Sequence, residues 1–94
     1  MPSTRVTIGS PVGLHARPAR LLVEAAGRQA GPIRIGRSED ALVNATSILA
    51  VMSLGVKGGE EVVLTAEGDG AETALEEIAA LLAQDLDAST PAQN

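Results

Sequence analysis

The chain has no cysteine, which excludes a disulfide framework, a thiolate nucleophile and a thiolate-held metal. It also lacks phenylalanine, tyrosine and tryptophan. Its core must therefore be built from Ala, Val, Leu, Ile and Met, and no aromatic platform exists for stacking bases. Basic residues are absent beyond Lys57: residues 58–94 hold nine acids, whereas residues 1–57 hold seven basic groups and three acids. A net charge of −5 without aromatics argues against a generic nucleic-acid binder. No apolar run approaches the roughly 20 residues that a membrane span needs, so insertion into a bilayer is not expected. The opening Met1-Pro2-Ser3-Thr4-Arg5 lacks the basic-then-apolar pattern of a secretory signal, and a cytoplasmic location is the expectation.

What is present suits one small core. A single domain is expected over residues 1–88, followed by a disordered tail at 89–94. Arg5-Val6-Thr7-Ile8 alternates as a strand, and Gly9 to Gly13 is turn chemistry. Ala19, Leu22, Val23 and Ala26 then recur at helical spacing, ending at Gly27 or Gly31. Pro32 to Gly36 and Ala41 to Asn44 form two strands around the turn Ser38-Glu39-Asp40, which predicts a hairpin. Thr46 or Ser47 caps a short helix from Ile48 to Leu54 that stops at Gly55. Glu61 to Glu67 is the last strand. Asp69, with Glu72 three residues on, fits the cap of a final helix carrying Leu75, Ile78, Leu82 and Leu86 on one side. The order β-α-β-β-α-β-α, with one apolar face per strand, predicts an α/β (α+β) open-faced sandwich. Three helices cover one face of a four-stranded antiparallel sheet.

The lone histidine, His15, lies in Gly13-Leu14-His15-Ala16-Arg17-Pro18. Pro18 is tolerated only in the first turn of a helix, which sets the start near residues 15–17. His15 then stands at the positive end of a helix dipole, a place that favours anions. Most histidines so placed are ordinary surface or capping residues, and Arg17 alone reads as a solvated arginine. The dipole disfavours a cation there by ~0.3–1 kcal/mol, a hint that Arg17 serves an anion. Ser47 is explained equally well as an N-cap hydroxyl. No metal site and no organic cofactor follow from the sequence.

At Gly13-Leu14-His15-Ala16-Arg17-Pro18-Ala19 the chain resembles HPr, the histidine-containing phosphocarrier of the phosphoenolpyruvate-dependent sugar phosphotransferase system. Ser47-Ile48-Leu49-Ala50-Val51-Met52-Ser53-Leu54-Gly55 resembles that family's regulatory serine helix, and Ala66-Glu67-Gly68 the end of its last strand. The likeness runs over about residues 4–86. It implies a bacterial carrier, not an enzyme. His15 would take a phosphoryl group on Nδ1 from phosphorylated enzyme I and pass it to an EIIA domain. With His15 as N-cap, the N–H groups of Ala16 and Arg17 have no helical acceptor and can bind phosphate oxygens, assisted by the Arg17 guanidinium. The resemblance also implies HPr kinase/phosphorylase acting at Ser47. Its docking surface for enzyme I and EIIA would be Ile48, Leu49 and Met52, joined by Ala16, Arg20, Leu21 and Gly55. Helical spacing points Val51 and Leu54 inward and Ile48, Leu49 and Met52 mostly outward. A monomer is expected.

Departures from the family pattern are Val12, where Asn or Ser is common, Glu24 and Gly27, where some members are basic, and Thr46, where Lys is frequent. Arg20 and Arg28 are candidate substitutes for the missing bases. The alternative function is an HPr-like regulatory protein that carries no flux to sugars. A self-contained phosphatase is disfavoured, because one histidine in so short a chain encloses no substrate and lacks acid–base help.

Overall fold

The computed structural model describes residues 2–11 and 13–84. Val12, the helical position assigned to Leu86 and the tail at 89–94 lie outside the described residues. The elements are β1 (Ser3–Thr7), α1 (Ala16–Gly27), β2 (Ile33–Gly36), β3 (Leu42–Asn44), α2 (Ile48–Ser53), β4 (Glu61–Ala66) and α3 (Ala71–Leu82). All strand pairs are antiparallel, in the spatial order β1-β4-β2-β3. The β2–β3 hairpin follows from its short turn. The insertion of β4 between β1 and β2 is a long-range pairing that local patterning does not reveal.

Val6, Ile33, Ile35, Val62, Leu64 and Ala66 turn one face of the sheet toward the helices, which contribute Ala19, Leu22, Val51, Leu75, Ile78 and Leu82. All are buried aliphatics, and each large one contributes roughly 1.5–3 kcal/mol on leaving water. On the far face, Val63 and Thr65 are buried although no helix among the described residues lies there. Arg5 stands opposite Val63 in the ladder and Arg34 opposite Thr65. The guanidinium groups of Arg5 and Arg34 pair with Glu61 and Glu67 at 3.5 and 3.6 Å.

Two sequence expectations are corrected. The first strand is Ser3–Thr7, shifted toward the N-terminus, and Ile8 instead joins the core from the following loop. The cap of α3 is Gly70, not Asp69. The chain enters that helix with Gly70 at φ +79°, a left-handed conformation open to glycine at no steric cost and unfavourable for aspartate. Glu72 still lies in the first turn, where its charge complements the dipole.

Glycine matters most where the segment before α1 meets the loop after α2. Gly13 has φ +77°, and a Cβ there would stand 2.1 Å from the Val56 carbonyl oxygen. The backbone closes on that spot because the Leu14 N–H donates to the same oxygen at 3.0 Å. Gly13→Ala is therefore expected to destabilise the fold by about 2–4 kcal/mol, from left-handed strain plus overpacking. Gly27→Ala serves as the opposite control: nothing lies within 4 Å of a Cβ at that helix position. It is expected to stabilise by about 0.4–1 kcal/mol. Urea denaturation midpoints should move in opposite directions for the two variants.

Candidate functional site

His15 is the N-cap of α1, with extended backbone (φ −86°, ψ −168°). Its carbonyl accepts the Ala19 N–H at 2.8 Å, closing the first helical turn. The imidazole itself makes no capping hydrogen bond and is exposed. Ala16 and Arg17, as the first two helical residues, have N–H groups without an intrahelical acceptor. Pro18, next in line, has no N–H and is buried. Two donors without a partner among the described residues thus lie next to an exposed ring, and the third position of the turn adds no competing one.

Leu14, only 4% exposed, anchors this turn in the core, and its N–H bond to Val56 ties it to the strap that follows α2. Arg17 is exposed and no carboxylate pairs with it among the described residues. Arg20 differs: its guanidinium lies 3.5 Å from Glu24, an exposed helical pair of small energetic value. Arg28, at the far end of α1, is about 20 Å along the helix from His15, by 13 residues at 1.5 Å each. It does not serve the ring.

Ala16, Arg17, Arg20, Leu21 and Ile48 together line a surface depression of about 520 Å³ between α1 and α2. Five of the residues singled out in the sequence therefore meet at one place. His15 caps α1 next to Ala16 and is not among the lining residues, while Ser47, Leu49, Met52 and Gly55 lie in or at the ends of α2. Ser47 caps this helix: its Oγ accepts the Ala50 N–H at 3.3 Å. Asn44 Oδ1 holds the approach by accepting from the Thr46 N–H at 2.9 Å and the Thr46 hydroxyl at 2.7 Å. Val51 is fully buried and Leu54 half-buried, whereas Ile48, Leu49 and Met52 are 38%, 79% and 37% exposed. These three are the large exposed hydrophobics of the described residues. Ile48 lines the depression, and Leu49 and Met52 are exposed on the same helix outside it. Gly55 closes the helix at φ +64°, at the end opposite Ser47.

Arg37 and Glu60, which no sequence pattern marked, brace that end of α2. Arg37 Nε donates to the Leu54 carbonyl at 2.9 Å, and Nη2 donates to the Gly55 carbonyl at 2.7 Å. Nη1 and Nη2 also donate to the two Glu60 carboxylate oxygens, at 3.2 and 3.1 Å. Glu60 accepts the Lys57 N–H as well, at 2.7 Å. The Arg37 guanidinium, followed by the Lys57 N–H, holds the Glu60 carboxyl below the usual glutamate range. A lowered folded-state value means this support is present at neutral pH and fades as acid protonates the carboxylate.

The chain and its fold are similar to those of known proteins. A family model described as the PTS HPr component phosphorylation site matches residues 2–84. Phosphocarrier protein HPr of Streptomyces coelicolor is 47% identical over 87 residues, covering 93% of this chain and 94% of that one. Among solved structures, HPr-C-His from Thermoanaerobacter tengcongensis superposes with a TM-score of 0.80 at 40% identity, covering 87% of this chain and 91% of that one. The Bacillus subtilis catabolite repression protein Crh, solved as a dimer with a swapped domain, gives 0.67 at 39% identity, covering 87% and 93%.

Proposed function

Because the chain belongs to the HPr family of phosphotransferase-system phosphocarriers, we propose that His15 is its phosphoryl-accepting residue, charged by phosphorylated enzyme I and discharged to an EIIA domain. The supporting observation is the exposed imidazole at the N-terminus of α1, beside two N–H groups and an arginine that have no partner among the described residues. In the transfer, a ring nitrogen, Nδ1 by the family resemblance, bonds to phosphorus as the bond to the donor's nitrogen breaks. The three peripheral oxygens then face the N–H groups of Ala16 and Arg17 and the Arg17 guanidinium. Such charge-assisted contacts are the strong ones. The pocket that surrounds the migrating group is completed by each partner in turn, so the chain acts as a carrier within a single domain spanning residues 1–88.

Docking in this reading uses Ile48, Leu49 and Met52 with Ala16, Arg20, Leu21 and Gly55. Arg17 and Arg20, on the helix that the ring caps, favour acidic partners. Incubation with enzyme I and phosphoenolpyruvate tests the proposal. One acid-labile phosphoryl group should appear, mapped to His15. An unmodified chain would overturn the carrier role and leave the regulatory one favoured by the likeness to Crh.

Ser47 lies beside the docking surface, and phosphorylation there would add about −1.5 to −2 charges. Asp and Asn both cap helices as well as Ser does, so they separate charge from capping. Ser47→Asp is expected to lower kcat/KM for acceptance roughly tenfold through like-charge repulsion, while Ser47→Asn stays near wild type. Equal rates for the two variants would remove the electrostatic role of this position.

A further inference from the structure

The segment 54–60 touches both halves of the proposed site. Its first residues end α2, which carries Ile48, Leu49 and Met52. Its middle holds the turn that carries His15, through the Leu14 N–H bond to the Val56 carbonyl at 3.0 Å. Its last two residues are joined to the loop before that turn, since the Ile8 N–H donates to the Glu60 carbonyl at 2.9 Å and the Gly59 N–H to the Ile8 carbonyl at 2.9 Å. Close packing of backbone on backbone leaves no slack: a Cβ on Gly58 would stand 2.4 Å from the Pro11 carbonyl oxygen. A shift of this strap would therefore move the apolar patch and the phosphate-receiving turn relative to each other.

One side chain from outside the strap fastens it. Arg37, just past β2, ties the Leu54 and Gly55 carbonyls to the Glu60 carboxylate. The carbonyls at the end of a short helix have no internal donors, and Arg37 supplies two in a planar fork. Glu60 returns the tie by accepting the Lys57 N–H at 2.7 Å, so both ends of the strap hang on one ion pair. The Arg37 side chain is 46% and the Glu60 side chain 39% exposed, so such a pair has modest value for overall stability. Geometric control is the stronger role.

We propose that Arg37 and Glu60 are positioning residues for phosphoryl transfer, fixing the α2 docking surface relative to the His15 turn. The inference rests on the carrier reading above. Neither residue touches the phosphate; both act through the strap.

The test compares wild type, Arg37→Ala, Arg37→Lys and Glu60→Gln as full-length chains, with phosphorylated enzyme I as donor. Arg37→Ala is expected to raise KM roughly five- to tenfold with kcat within about twofold, the pattern of lost uniform binding. Arg37→Lys should recover only part, because an ammonium cannot span two carbonyls and a carboxylate. Amide hydrogen exchange gives a readout independent of transfer. Leu14 should exchange several-fold faster in Arg37→Ala and Glu60→Gln, with Ile78 in the core unchanged. An unchanged KM with unchanged Leu14 exchange would overturn the positioning role. So would a uniform rise in exchange across the fold, which marks plain destabilisation. If wild type accepts no phosphate, the carrier reading itself fails, an outcome distinct from a variant that matches an active wild type.

Discussion

Replacing His15 by alanine is expected to reduce phosphoryl acceptance from enzyme I by at least roughly a thousandfold, to the limit of detection, since no second nucleophile stands in for an absent one. The chain has a single histidine, so no neighbouring imidazole can take over. The fold should scarcely notice. The ring is exposed and caps nothing, and only its backbone carbonyl serves the helix. A change within about 0.5 kcal/mol is expected in urea denaturation, the usual range for a surface substitution. Loss of transfer with the stability curve intact separates chemistry from folding. Transfer retained in His15→Ala would place the phosphate elsewhere.

The second large effect is expected from the double substitution Leu49→Asp and Met52→Asp. Leu49 is 79% exposed and Met52 37%, so neither supports the core as Val51 does. In the proposed reading these exposed apolar side chains, together with Ile48, form one contact surface. Buried anchors of an interface commonly contribute 2 kcal/mol or more each. Two carboxylates in their place, meeting an acidic partner, should lower kcat/KM for acceptance by at least roughly a hundredfold, carried mainly by KM. Circular dichroism and the denaturation midpoint should stay near wild type. Transfer at the wild-type rate would reject the patch as a docking surface.

Much of this architecture could be read from the chain because its local signals agree with one another. Pro18 allows only a helix start near residue 16, and α1 begins at Ala16. Ser47 and Gly55 bracket α2 through a cap and a left-handed exit. The same spacing that buries Val51 exposes Leu49, so one short run specifies both packing and patch. What the chain conceals depends on distance along the sequence. Nothing in Arg37-Ser38-Glu39 announces a partner at Glu60, because that link forms only once β4 has inserted beside β2. Gly58 likewise looks like turn chemistry until its backbone meets Pro11. The cap of α3 is concealed for a related reason. Side-chain preference favours aspartate, but the backbone needs a left-handed residue, and Gly70 is the next in line.

The central physical claim is that an anion on His15 is received by the open end of α1. Amide NMR on the phosphorylated and unphosphorylated chain reads this directly. The Ala16 and Arg17 N–H signals should show the largest downfield movements on phosphorylation, as each gains an acceptor, with Ala19 and the sheet nearly still. Phosphorylation that leaves those two amides unmoved would contradict it.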